Sequence, residues 1–323
     1  MLAIDKRPKT FAEVIGQPTA VATLKAIAKA PGISVRSIVL QGAYGCGKST
    51  LARIFGKAIG CQEFPSTGDV CCTCSDCIEA SRPNSQTYLE FDSSRVGNVD
   101  AIKSLTDSLM VSTLGKRRVV VLDEVHALSK QALTSLLKVL EEGIPNTFWI
   151  FATTEPLMKT IMSRSCVIEI NTIAEDVMFD YVKKVAQQES IEISDEQISQ
   201  LILKSQGHAR NAMQLLDKYR MIGADALITA YASFRHFVLT CVRKQDTVTD
   251  LAALSAFTIV DINLAINQFL KNVFIGQGDF EAKLKEKGFS SKIFKFFYQP
   301  EIQQALKDEA GVQLALRCFA EMF

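Results

Sequence analysis

The chain has 323 residues, 48% of them apolar and 22% charged, with a formal net charge of +1. That mixture excludes a disordered chain and is enough for two or three domains with cores of their own. The balanced charge offers no global basic field for nucleic acid, although it leaves room for a local basic surface. The N-terminal stretch MLAIDKRPKTFAEVIG has no apolar core of signal-peptide length, and no apolar run approaches the ~18 residues of a bilayer span. A cytoplasmic protein that meets no membrane is expected. Nine cysteines in a reducing compartment point to metal rather than disulfides, the more so because five of them crowd into CQEFPSTGDVCCTCSDC, residues 61 to 77.

In chain order, the first strong signal is SIVLQ, Ser37 to Gln41, a short β-branched run that stops at glycine and is followed by the helical spacing of LARIFGKAIG. Between strand and helix lies GAYGCGKST, which matches GxxxxGK[ST]. Gly42, Gly45 and Gly47 let backbone amides wrap phosphate oxygens, and the loop runs on through Cys46 to Thr50. Lys48 would reach the terminal phosphates and Ser49 would ligate magnesium. The helix start adds favourable potential for an anion. The alternative, a glycine turn before an ordinary helix, leaves this strand–loop–helix order without a purpose.

The run TYLEFD, ending at Asp92, marks a further strand. The cysteine loop between these elements contains C-x-x-C-x-x-C at Cys71, Cys74 and Cys77, a spacing by which one tight loop supplies three thiolates. Cys61 can return as the fourth ligand of a closed zinc site, and Cys72 is surplus.

RRVVVLDEVHAL is a buried strand ending in Asp123 and Glu124. Beside a phosphate loop, Asp123 would hold Mg²⁺ and Glu124 would orient and deprotonate the attacking water. Ser129 then caps a helix with Leu133, Leu136, Leu137 and Leu140 on one face, closed by Gly143 and Pro145. NTFWIFATTEP is a third buried strand, at whose end Thr153 and Thr154 offer hydroxyls that can touch a γ-phosphate or the lytic water, or simply satisfy their own turn. Strands alternating with helices predict a doubly wound parallel sheet.

Further on, Ser194 and Gln197 form a capping box ahead of the stripe Ile198, Leu201 and Ile202, and Gly207 ends that helix. GHARNAMQLLDKY opens the next one, with Arg210 in its first turn. From about Gly223 the motifs give way to long apolar patterns, LITAYASFRHFVLTCV, LAALSAFTIVDINLAINQFLKNVF and IQQALKDEAGVQLALRCFAEMF. These predict a helical bundle.

RPKTFAEVIGQ, GAYGCGKST, the cysteine cluster, FDSSR, VVVLDEVHALSKQALTSLLKVLEE, ATTEP, MSRSC and GHARNA follow one another across residues 7 to about 215. In this order they resemble the AAA+ clamp-loader ATPases, most closely the gamma/tau subunits of bacterial DNA polymerase III and more distantly the small subunits of replication factor C. The resemblance implies an α/β P-loop AAA+ module at residues 1–170, a helical lid at 171–223 and an all-α collar at 224–323 that joins subunits into an open ring, a pentamer in the family. It implies ATP, Mg²⁺ and a structural zinc after the P-loop helix as cofactors, and a sliding clamp and primer–template DNA as partners. No tau-like tail is expected after the collar.

Residue by residue, the likeness makes Arg164 of MSRSC an arginine finger for the neighbouring subunit's ATP, with Ser165 an extra residue before Cys166. It makes Arg210 a second sensor reaching in from the lid, and Thr154, in ATTEP, is the strand-end hydroxyl expected to act in catalysis. It places Val14 and Ile15 against adenine. Arg95, after FDSS, and Lys130, opening the Ser129 helix, become candidates for DNA phosphates. The family also contains a non-hydrolysing structural subunit, and other AAA+ machines, such as a branch-migration motor or a helicase loader, share most of these parts.

Overall fold

In the computed structural model, the described residues are 1–29, 35–96, 99–111, 117–223, 226, 230–243, 247–255, 257–275, 284–285 and 288–322. They divide into two compact units, Met1–Gly223 and Ala224–Phe323. Among them, no helix is long and apolar enough to cross a membrane.

In the first unit, α1 (Leu2–Asp5) and α2 (Pro18–Lys29) precede β1 (Ser37–Gly42). There follow α3 (Lys48–Gly60), α4 (Phe64–Thr67), α5 (Ser75–Ala80), β2 (Tyr88–Asp92), α6 (Ser93–Val96) and α7 (Val99–Val111). Then come β3 (Arg118–Asp123), α8 (Lys130–Glu142), β4 (Thr147–Thr153), α9 (Lys159–Met162) and β5 (Cys166–Ile170), and finally α10 (Glu175–Gln188), α11 (Asp195–Ser205) and α12 (Ala209–Ile222). The strands form one parallel sheet in the order β2-β3-β4-β1-β5. The expected doubly wound α/β architecture is therefore present.

Strands buried on both faces read as unbroken apolar runs, because alternate side chains feed two cores. Ile38, Leu40, Val119, Val121 and Ile150 pack with α2 and α3 on one face. Val39, Val120, Leu122, Trp149 and Phe151 pack with α7 and α8 on the other. Ligands of such sheets lie beyond the carboxyl ends of the strands. Here β1 ends at the P-loop and β3 at Asp123.

The caps read from sequence form as expected. The Ser129 side chain accepts from the Ala132 amide and Gly143 caps the other end of α8. Ser194 and Gln197 make the reciprocal box at the start of α11. That helix ends one residue earlier than the glycine suggests: Gln206 is already left-handed (φ 53°), and Gly207 follows in the same region.

In the second unit, two of the three long patterns are each interrupted. One is Val248–Leu254 followed by Ile259–Ile275, the other Pro300–Ala305 followed by Glu309–Met322. The reason is local capping. Thr258 and Asp261 exchange side-chain-to-amide hydrogen bonds at 3.2 and 3.3 Å, and Asp308 accepts from the Gly311 amide at 2.8 Å, so each side chain starts a new helix inside an apolar run. Phe234, Phe237, Phe269, Phe297 and Phe319 are fully buried in this unit's core.

Candidate nucleotide site and cysteine cluster

The loop between β1 and α3 is shaped by its glycines. Gly45 (φ 79°) and Gly47 (φ 106°) hold backbone conformations that a side chain would strain, and Gly47 is the N-cap of α3. Gly42 serves differently: an added Cβ would run into the carbonyl oxygen of Ile170 on β5. Lys48 is 5% exposed, and its ammonium donates to the carbonyls of Gly42 (2.9 Å) and Ala43 (3.0 Å). Burial lowers its pKa, against the pull of Glu124 and Asp123.

Ser49 donates to Asp123 Oδ2 at 2.8 Å, across 74 residues of sequence. The other oxygen, Oδ1, accepts from the Glu124 amide at 3.0 Å. Glu124 itself sits at φ 52°, a left-handed conformation that a non-glycine residue holds only where its surroundings enforce it. Its carboxylate lies 3.5 Å from His126 Nδ1. A cleft of about 120 Å³ is lined by Gly45 through Leu51, Asp123, Glu124, Val14, Ile15 and Arg210. The structure thus brings the P-loop, both strand-end acids, the two N-terminal apolar residues and Arg210 of α12 to one cavity. The hydroxyl–carboxylate pair and the adjacent Glu124 carboxylate suit a divalent cation and an attacking water, respectively.

Thr154 and Arg164 lie outside that lining. At the end of β4 it is Thr153 that is fully buried, bonded to His126 Nδ1 (3.3 Å) and to the Glu155 carbonyl (2.7 Å); Thr154 is half-buried beside it. Arg164 pairs with Glu141 at 2.7 Å and donates to the Thr160 carbonyl at 3.0 Å. Arg95 is 88% exposed, 3.6 Å from Asp92. Lys130 is exposed at the first position of α8.

Sequence reasoning missed several lining residues. Lys6, Arg7, Gln17, Tyr44, Ile173, Tyr181 and Met213 also face the cleft. The N-terminal segment is strapped to the helices after β5: the Leu2 amide donates to Asp217 Oδ2 at 2.6 Å, Lys6 pairs with Glu189 at 2.8 Å, and the Tyr181 hydroxyl donates to the Lys6 carbonyl at 3.0 Å. Arg7, half-buried there, has its pKa lowered by burial first and then by Arg53 and Arg210. Its one signal in the sequence is its place at the head of RPKTF.

At the other end of α3, Cys61 is the C-cap. The sulfurs of Cys61, Cys71, Cys74 and Cys77 all lie within 4.8 Å of one another, with Cys61 to Cys71 at 3.6 Å and Cys71 to Cys77 at 4.0 Å. A tetrahedral site with zinc–sulfur bonds of ~2.3 Å has sulfur–sulfur edges of ~3.8 Å, so the four thiols fit such an ion. The amides of Cys71 and Cys74 point at the sulfurs of Cys61 and Cys71. Hydrogen bonds led by Thr73 push the Cys71 thiol down to about 6, while burial raises Cys77, which is 0% exposed. Cys72, at φ 61°, turns out of the cluster, with its sulfur 3.5 Å from the Lys9 carbonyl.

Fold and cavity together give an α/β P-loop module with the AAA+ fold. The solved structure of Thermotoga maritima RuvB, the Holliday junction branch migration motor, shares this fold at a TM-score of 0.53 and 20% identity, over 88% of this chain and 85% of that one. The profile of the family described as DNA polymerase III, delta subunit, matches residues 16–174. The chain is 31% identical to DNA polymerase III subunit gamma of Buchnera aphidicola subsp. Acyrthosiphon pisum, over 67% of this chain and 60% of that protein. It is 30% identical to the gamma/tau subunit of Mycobacterium tuberculosis, over 77% of this chain and 44% of that protein. In sequence the chain is similar to these bacterial DNA polymerase III subunits, and it spans about half the length of the curated relatives it matches.

Proposed function

We propose that the chain is the ATP-hydrolysing subunit of a clamp loader, which uses ATP to open a sliding clamp and place it on primer–template DNA. The observation that carries the hydrolytic part is the 2.8 Å bond between Ser49 and Asp123, with Glu124 lining the same cleft. In this reading the amides of the Gly42–Thr50 loop and Lys48 hold the phosphates, and Ser49 and Asp123 hold Mg²⁺. Glu124 takes the proton of the attacking water, and Arg210 faces the phosphates from the lid. Val14 and Ile15 cover the base. Thr154 acts by repositioning toward the γ-phosphate when neighbouring subunits assemble.

The sequence kinship favours the loader over a branch-migration motor, which is supported by the fold alone at 20% identity. The four-cysteine cluster, which in this reading holds a structural zinc with no open coordination position, favours the same side. A non-hydrolysing structural subunit conflicts with the intact Lys48, Ser49, Asp123 and Glu124. Residues 171–223 serve as lid and 224–323 as collar in an open ring, a pentamer by analogy, working in the cytoplasm. Arg164 reaches the neighbouring subunit's ATP once assembly replaces its bond to Glu141, and Arg95 and Lys130 track DNA phosphates.

Steady-state ATP hydrolysis with companion subunits tests this. Stimulation by primed DNA, raised further by the clamp, is expected; indifference to the clamp with stimulation by forked DNA would favour the motor. Arg164→Ala should leave ATP binding intact and slow hydrolysis in the assembly by roughly 10³-fold or more. Unchanged turnover there would remove Arg164 from the mechanism. Neutralising Arg95 and Lys130 together should weaken binding to primed DNA and flatten its salt dependence by about one unit of slope for each phosphate that is no longer neutralised.

A further inference from the structure

The P-loop and the start of α12 touch through three consecutive loop residues. The Arg210 guanidinium carbon lies 4.9 Å from the ring centroid of Tyr44. An added Cβ at Gly45 would stand 3.6 Å from the Cβ atoms of both His208 and Arg210. Beneath them, the Cys46 sulfur lies 3.4 Å from His208 Nδ1. His208 is the N-cap of α12, yet its side chain makes no capping bond to the helix. The ring is committed to the P-loop cysteine instead.

The choice of groups is chemically specific. Arg210 faces two further cations, Arg7 and Lys48, and makes no ion pair with a carboxylate among the described residues. A carboxylate partner would hold it more strongly but would cancel the charge that a phosphate needs. The face of a tyrosine ring attracts a guanidinium and leaves its full charge available. Tyr44 itself is 61% exposed, so burial does not explain an aromatic residue at the tip of this loop.

We propose that Tyr44 is a positioning residue for Arg210, holding the guanidinium at the rim of the phosphate cradle while the Cys46–His208 contact docks the start of α12 on the P-loop. Arg210 then approaches the phosphates from one preset direction, and the accessibility of Cys46 follows lid position. The inference rests on the reading of Arg210 as a phosphate-facing residue, and the test separates the two.

In the purified full chain without nucleotide, Cys46 alkylation by iodoacetamide is followed by peptide mass spectrometry. The buried thiol, 3% exposed and raised in pKa chiefly by burial, should label slowly in the wild type and about two- to fivefold faster in Tyr44→Ala and in Arg210→Ala, the range expected for an exposed cation–π contact. Tyr44→Phe keeps the ring and should match the wild type. Wild-type rates in Tyr44→Ala, or acceleration in Tyr44→Ala without acceleration in Arg210→Ala, would overturn the proposal, the latter because the ring would then act only as a cover. With ATPγS and ADP as probes, Tyr44→Ala should weaken ATPγS over ADP about two- to fivefold, and the double variant should bind no worse than Arg210→Ala alone. Additive losses would also overturn it. If the wild type binds neither nucleotide, the ATPase reading fails, and the labelling rates still decide whether the latch exists.

Discussion

Helix α3 carries a candidate site at each end, and the two are built by different physics. At its N-terminus the working groups are backbone amides, a buried ammonium and two acids brought from a strand 74 residues away. At its C-terminus they are four soft thiols gathered from the helix cap, a tight loop and the start of α5. The first site is pre-shaped without a ligand: glycines at positive φ and a Ser49–Asp123 bond already fix it. The second has its sulfurs gathered by burial of Cys61 and Cys77 and by N–H···S contacts, and a metal would add the only strong bonds between the four thiols, so its order should depend on a metal. The difference predicts that the ends fail separately and in different ways, because α3 at ~1.5 Å per residue sets them about 20 Å apart.

The largest expected effect is at the first end. Lys48→Ala should abolish ATP binding, since it removes the buried ammonium held inside the phosphate loop. Glu124→Gln should keep ATP binding and lose hydrolysis by about 10² to 10⁴-fold, the usual worth of a positioned general base. Equilibrium nucleotide binding and phosphate release measure these two. Bound metal and the unfolding midpoint should stay as in the wild type for both variants. Loss of metal in Lys48→Ala would show that the two ends are one cooperative structure.

At the second end, Cys77→Ser places a hard hydroxyl where a fully buried thiol completes the cluster. Metal content by atomic emission should fall from about one zinc per chain toward none. The thermal midpoint should drop by several degrees, because metal binding in such modules is folding free energy. Nucleotide affinity should change little. Cys72→Ser sharpens the comparison further: with its sulfur turned toward Lys9, it should leave zinc in place, and loss of metal in that variant would exchange it for Cys71 in the ligand set.

The same contrast explains what the sequence reveals. GAYGCGKST is contiguous because the proposed phosphate cradle needs successive amides from one turn, so that loop is written in nine letters. Strands β1, β3 and β4 are equally plain, since burial on both faces makes them unbroken apolar runs ending at Gly42, Asp123 and Thr153. The cysteines show their spacing, but not which of Cys71 and Cys72 turns inward, because that depends on a left-handed backbone at Cys72. Arg7, Tyr181 and Met213 escape notice because they reach the cleft from segments far apart in sequence, without a local period. The interrupted helices of the second unit are signalled by T-x-x-D at Thr258 and by Asp308 before Glu309, and the length of the apolar runs around these residues masks the signal.

The smallest effect probes the shaft between the ends. Gly56 lies on the buried side of α3, where an added Cβ would press into the ring of Tyr88 on β2. Tyr88 in turn donates to Glu90 at 3.0 Å, and Glu90 pairs with Arg53 on α3 at 2.9 Å, so the glycine lets helix and edge strand close on a shared polar cluster. Gly56→Ala has two opposing terms. Alanine gains about 0.5 to 1 kcal/mol as a helix former, while overpacking against the Tyr88 ring costs about 1 to 3 kcal/mol. The net expectation is a loss of about 1 kcal/mol in denaturant unfolding, with nucleotide affinity and zinc content both retained. A stabilised protein would mean that Tyr88 yields and the polar cluster does not hold β2 in place. A variant that lost affinity and zinc together would show that α3 transmits strain between sites that otherwise answer to different chemistry.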